Sequence, residues 1–147
     1  MRLLLIVVLS FVLFPDEAWA CTCAPSTPKQ VFEKVDAVFS AVVTALEYPA
    51  GKDLDIEDIK GQVTLKVLKV WKGRPGRTVV MLTQKFGSCD VWGFAKRDST
   101  FLVYAYYAKY YTKTSRILTT NWCLRTAGIR SAVAAGDLES LGPGKNP

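Results

Sequence analysis

The stretch Val63–Gly73, "VTLKVLKVWKG", decides how the fold is read. Val63, Leu65 and Val67 alternate with polar residues, at the two-residue period of a strand with one buried face. Leu68 and Val70 then continue on the opposite phase. A β-bulge near Val67 explains the switch, because one extra residue reverses the pleat, and it also bends the strand. A sheet bent in this way can curl round on itself. Trp71 to Gly76 then reads as a turn, and Thr78–Thr83 resumes a strand.

The flanking segments fit the same picture. Asp36–Leu46, "DAVFSAVVTAL", is a β-branched apolar run expected to be buried on both faces. Thr100–Tyr107, "TFLVYAYY", is another strong strand, and Ile117–Thr119 is a short one leading to Cys123. Thr27-Pro28-Lys29-Gln30 carries three helix-start signals: a capping threonine, a proline suited to the first helical position, and a glutamine that can reach back. A short helix to about Val35 follows. Ile129–Leu141 places Ile129, Val133, Leu138 and Leu141 at helical spacing, with Gly136 as a weak point. Tyr48–Lys60, with Pro49, Gly51 and four acids, reads as an exposed loop. Several short strands, a bulge and two small helices predict a mainly β domain. A five-stranded OB-type barrel with helices packed outside fits the pattern, and a two-sheet sandwich fits the same alternation.

The front of the chain has a separate reading. "MRLLLIVVLSFVLF" has one positive charge and an apolar core, and Pro15, Ala18 and Ala20 follow. That is the layout of a secretory signal peptide over residues 1–20, cleaved before Cys21. The apolar run is short for a membrane span. Cleavage leaves one domain, residues 21–147, secreted to the extracellular space or the periplasm. The net charge of +6 rises by one as Arg2, Asp16 and Glu17 leave. The remaining lysines and arginines are scattered along the sequence, which favours solubility over a nucleic-acid partner.

The chain has no histidine, so the commonest catalytic base and metal ligand is missing. No enzymatic activity and no cofactor are expected. "DLDIED" (53–58) resembles the start of a calcium loop, but Asp58 stands where glycine is needed and Thr64 where glutamate is. The aromatics of "TFLVYAYYAKYY", interleaved with Lys109 and Lys113, could form a stacking platform. Ordinary strand residues facing a core account for them better.

Cys21, Cys23, Cys89 and Cys123 all follow the cut site. An even count in an exported chain reads as disulfides, with three possible pairings. A four-thiolate zinc site would need closely spaced pairs at both ends. A Cys21–Cys23 bond would close a tiny strained ring, so two long-range bridges from the new terminus are expected. Cleavage also frees the α-amine of Cys21, partly neutral near physiological pH. That amine and its own carbonyl form a natural five-membered chelate for a metal with an open position. Bridges so close to the terminus, with Pro25 stiffening the exit, would reduce the ordering cost of binding. Simple anchoring of an N-terminal strand explains the same spacing equally well.

"CTCAPSTPKQVFEKVDAVFSAVV" resembles the mature start of the tissue inhibitors of metalloproteinases, within the netrin-like family. "VLKVWKG", "SCDVWGF", "FLVYA" and "CLRT" resemble further family landmarks in the same order, from Cys21 to about Leu141. The resemblance implies an OB-type barrel with bridges Cys21–Cys89 and Cys23–Cys123. It implies that the Cys21 amine and carbonyl chelate the zinc of a target metalloendopeptidase of matrix-metalloproteinase type. Thr22 would enter the adjoining specificity pocket. Cys23, Ala24 and Pro25 would run along the primed side of the cleft, and Gly87 and Ser88 would contact the unprimed side. The chain departs from the animal proteins at Glu33, where they have another cysteine, and at Asp90, where glycine is usual. It lacks their C-terminal domain, and so looks like a short bacterial single-domain member. A netrin-like envelope or extracellular binding module is the alternative. Lipidation at Cys21 is a third reading, but Ala18-Trp19-Ala20 is a poor acylation motif.

Overall fold

The computed structural model describes residues 22–47, 61–83, 90–109 and 116–147. In chain order the elements are α1 (Pro28–Lys34), β1 (Ala37–Glu47), β2 (Gly61–Lys72), β3 (Thr78–Thr83), β4 (Thr100–Lys109), β5 (Arg116–Thr119), β6 (Ala127–Gly128) and α2 (Ala132–Leu141). Two 3₁₀ turns, Val91–Phe94 and Trp122–Leu124, precede β4 and β6. The signal-peptide segment and the 48–60 loop lie outside the described residues.

The protein is mainly β, with two short helices flanking one antiparallel sheet. Its strands run β3-β2-β1-β4-β5, and the two-residue β6 adds to β4 beyond this path. The expected bulge is present, one residue later than its reading. Ser40 faces Lys69 and Ala41 faces Val67, so Leu68 has no partner in β1 and is 40 % exposed. Two further register shifts, between Val38 and Phe39 and between Val43 and Ala45, add to the bend.

Closure into a five-stranded barrel is not found. β3 and β5 touch, and Val79, Met81 and Leu118 share one core, but no ladder joins the two strands among the described residues. The bulges curl the sheet far enough for its end strands to meet through side chains. Backbone pairing of β5, only four residues long, goes to β4.

Two cores explain the two kinds of strand pattern. Phe39, Ala41 and Val43 of β1 pack inside the curl with Val63, Leu65 and Val67 of β2 and with Phe101 and Val103 of β4. Val38, Leu102 and Tyr104 point the other way and pack under the helices with Val31, Val35 and Ala134. Strands β1 and β4 are therefore covered on both faces, which is why they read as continuous apolar runs. Strand β2 is covered on one face and alternates.

The helices form for the reasons their ends announce. Gln30 N–H donates to Thr27 Oγ1 at 3.2 Å and Thr27 N–H donates to Gln30 Oε1 at 2.9 Å, a reciprocal cap that satisfies two orphan donors. At the other end of α1, Lys72 Nζ donates to Phe32 O at 2.6 Å and lies 5.2 Å from the Phe32 ring centre. A cation at that end also suits the helix dipole. Helix α2 begins at Ser131, whose hydroxyl accepts from Ala134 N–H at 3.2 Å, so Ile129 falls outside it. The expected apolar face is corrected at one position: Val133 is exposed, whereas Ile129, Leu138 and Leu141 pack against the outer core, with Ala134 and Asp137 fully buried among them.

Two glycines differ in kind. Gly73 has φ +76°, and a Cβ there would lie 2.5 Å from Asp36 O; Gly136 sits mid-helix with nothing within 4 Å of a Cβ. Gly73→Ala is expected to destabilise by about 2 kcal/mol or more. Gly136→Ala is expected to stabilise by about 0.5–1 kcal/mol. Urea-unfolding midpoints of the two variants check both signs.

Candidate functional site

The site built by the fold is the N-terminal segment Thr22–Thr27 and what holds it. Cys23 is bonded to Cys123, with 5.2 Å between their Cα atoms and 100 residues between them in sequence. This is one of the two bridges that the resemblance implies. In the chain-entropy treatment, closing so long a loop is worth about 4–5 kcal/mol. Cys21, Gly87, Ser88 and Cys89 lie outside the described residues, and with them the Cys21–Cys89 bridge.

Cys123 is itself firmly placed. Asn121 Oδ1 accepts from Cys123 N–H at 3.0 Å, capping the 3₁₀ turn, and Arg125 ends the turn in the left-handed region at φ +65°. Beneath it, β4 changes partners, from β6 at Phe101 and Leu102 to β5 at Tyr106 onward. Threonine hydroxyls fill the gap between. Tyr104 N–H donates to Thr126 Oγ1 at 2.9 Å, and Thr120 Oγ1 donates to Tyr104 O at 2.7 Å. The buried strand thus keeps both Tyr104 backbone groups satisfied on the edge away from β1, where no strand pairs with it.

A second anchor lies three residues after the disulfide. Arg125 Nη1 donates to Ser26 O at 2.7 Å. The same guanidinium forms a fork on Asp137, with Nη2 at 2.5 Å from Oδ1 and Nε at 2.9 Å from Oδ2. Tyr104 Oη donates to Asp137 Oδ2 at 2.9 Å. Asp137 has no exposed surface, so these donors replace the water that an isolated buried carboxylate would need. The Arg125 guanidinium is pushed further up, chiefly by its hydrogen bond to Asp137. Burial, then the hydrogen bond and charge of Asp137, hold the Tyr104 phenol above the usual tyrosine range, with Arg125 opposing.

Pinned at Cys23, at Ser26 and at the Thr27 cap, the segment presents Thr22, Ala24 and Pro25 to solvent, while Cys23 and Ser26 turn partly inward. Trp122, next to Cys123, is 48 % exposed. Of the other residues singled out from the sequence, Glu33 is exposed on α1. Asp90 has a definite structural use. Its Oδ1 accepts from Trp92 N–H at 3.0 Å and its Oδ2 accepts from the Thr83 hydroxyl. The end of β3 and the start of the 3₁₀ turn are thereby tied together, at either side of residues 84–89. The aromatic stretch divides: Phe101 and Tyr104 are core, whereas Tyr106 and Tyr107 are exposed. Tyr110, Tyr111, Lys113 and the 53–58 acids lie outside the described residues. Among the described residues no group of three or more Cys, Asp or Glu could hold a metal, and no helix is long and apolar enough to cross a membrane.

Sequence reading missed Arg125, Asp137 and Ser26. The available signal was an aspartate inside an otherwise apolar helical pattern, with one arginine two residues after the last cysteine. Asp137→Ala strands the Arg125 charge and is expected to cost about 3–5 kcal/mol, with faster amide exchange across Ser26–Gln30. Tyr104→Phe is expected to cost about 1–2 kcal/mol. Because the folded phenol ionises above the unfolded one, its contribution is complete below about pH 10 and is lost as the pH rises past that value. Denaturation midpoints measured across the alkaline range should fall less steeply in Tyr104→Phe than in the parent chain. The sequence matches no protein-family model and no curated protein.

Proposed function

We propose that the chain is an exported, non-enzymatic inhibitor of zinc metalloendopeptidases, built like the inhibitory netrin-like domain of the tissue inhibitors of metalloproteinases. The observation that carries this reading is the pinned segment after Cys21. A disulfide at Cys23 and the Arg125–Ser26 bond hold an extended strip whose Thr22, Ala24 and Pro25 face outward. An extended strip of backbone held in advance is what a protease cleft accepts, and holding it reduces the ordering cost of association.

In this mechanism the signal peptide is removed and the Cys21 amine, in its neutral form, approaches the target's zinc with the Cys21 carbonyl. The two atoms displace the zinc-bound water, so the target loses its nucleophile. Thr22 enters the pocket beside the metal. Cys23, Ala24 and Pro25 lie along the cleft in the substrate's direction. Gly87 and Ser88, tethered through a Cys21–Cys89 bridge, cover the other side. Nothing is cleaved, because no scissile bond is presented to an activated water. Exposed Tyr106 and Tyr107 are the observation that favours the second reading, a netrin-like binding module acting through its aromatic surface.

The two readings separate on one atom. An alanine added ahead of Cys21, or acetylation of the amine, is expected to weaken inhibition of zinc endopeptidases by more than about 100-fold, near 3 kcal/mol. Thr22 substitutions are expected to change which target is preferred. Intact mass of the exported protein should correspond to residues 21–147 less four hydrogens. Equal inhibition by the extended form refutes chelation, and no inhibition across a protease panel leaves the binding-module reading.

A further inference from the structure

Strand β2 outruns its partner. β3 pairs with it only as far as Lys66, opposite Thr78, whereas β2 continues to Lys72 with β1 on its other side. The outer edge past Val67 would be a bare row of backbone donors and acceptors. The C-terminal segment Gly142–Pro147 covers one step of it. Val70 and Lys145 exchange both backbone hydrogen bonds, each at 2.8 Å. Trp71 Nε1 donates to Gly142 O at 2.7 Å, and Lys69 Nζ donates to Asn146 Oδ1 at 2.7 Å. Gly144 rests on the Trp71 indole so closely that a Cβ would come within 2.9 Å of it. Together these contacts make a seat for an extended peptide. The seat has a backbone pair, an aromatic floor that admits glycine, and an ammonium group for the side chain two residues further on.

The segment that occupies this seat is held by few bonds and brings no acidic side chain to it. It makes a single backbone bridge, and Gly142, Pro143, Lys145, Asn146 and Pro147 are all exposed. A cleft of about 460 Å³ lies between it and the turn after β2, lined by Trp71, Lys72, Arg74 and Lys145 among others, with no acidic side chain. The cations here come mostly from one stretch of sequence, Lys66, Lys69, Arg74 and Arg77 in and just after β2, and the tail adds Lys145 from the far end of the chain. The tail itself brings Lys145 and no acidic side chain to these cations.

We propose that the Lys69–Trp71 edge of β2 is a strand-acceptor site for an extended acidic peptide with glycine over Trp71, occupied in cis by the chain's own C-terminal segment. Binding adds the peptide to the sheet edge through the Val70 backbone, and Lys69 and Arg74 select its carboxylates. The site is independent of Cys21 and of the inhibitor reading.

Two C-terminally amidated hexapeptides test it, Gly-Pro-Gly-Lys-Asn-Pro and Gly-Pro-Gly-Glu-Asp-Pro, titrated into the full chain while the Val70 and Lys145 amide resonances are followed. The acidic peptide is expected to shift Val70, release Lys145 and bind about tenfold more tightly than the lysine peptide. The difference should shrink in about 0.5 M salt. Gly144→Ala, which expels the tail from the indole, should raise the apparent affinity several-fold, and Lys69→Glu should abolish the preference for acid. Equal binding of the two peptides, or no shift at Val70 in either the parent chain or Gly144→Ala, overturns the proposal.

Discussion

A carboxylate with no access to water organises one whole side of this molecule. Asp137 lies on α2, accepts the Arg125 fork and the Tyr104 hydroxyl, and so joins the last helix to the middle of β4. Arg125 Nη1 donates to Ser26 O, which extends the same network to the start of the domain. A buried charge with one good partner and unsatisfied lone pairs would be a liability. Here each oxygen has its donors, and the network fixes where three distant segments meet. Helix α2 packs Ala134, Leu138 and Leu141 on the outer core, and the Asp137 network adds a directional bond to that apolar contact.

The curl of the sheet is the second constraint. Three register shifts along β1 and β2 bend the sheet until its end strands touch, and the inner core fills the space that results. The outer face of β1 and β4 would then be a large apolar surface, and α1 and α2 cover it. Each helix is positioned by a polar bond at its rim, from Lys72 to the end of α1 and from Arg125 to α2. The apolar cores supply most of the stabilisation, and the polar rim sets the registry.

Both ends of the described chain are extended segments held from outside. Residues 22–27 are tied by a disulfide and a guanidinium, which are strong and local. Residues 142–147 are tied by one backbone bridge and two exposed side-chain bonds, which are weak. The first arrangement suits a strip that must keep its shape while something binds to it. The second suits a strip that yields its place. The contrast lies in how the segments are held, since neither belongs to a helix or a strand.

Local chemistry in the amino-acid sequence was enough to place the strands, the α1 cap and the bulge near Val67. Capping boxes, two-residue alternation and turn glycines act over a few residues and can be read as they stand. The four-cysteine count could announce disulfides but leave their pairing open, because pairing depends on which segments the fold brings within reach. The family resemblance named Cys23–Cys123, whereas tertiary structure alone buried Asp137 against Arg125, turned Val133 outward, and stopped the sheet short of backbone closure. It also set Lys145 beside the cations of β2. These outcomes depend on how whole segments pack together, and a pattern read within a few residues carries no information about which segment will lie beside it.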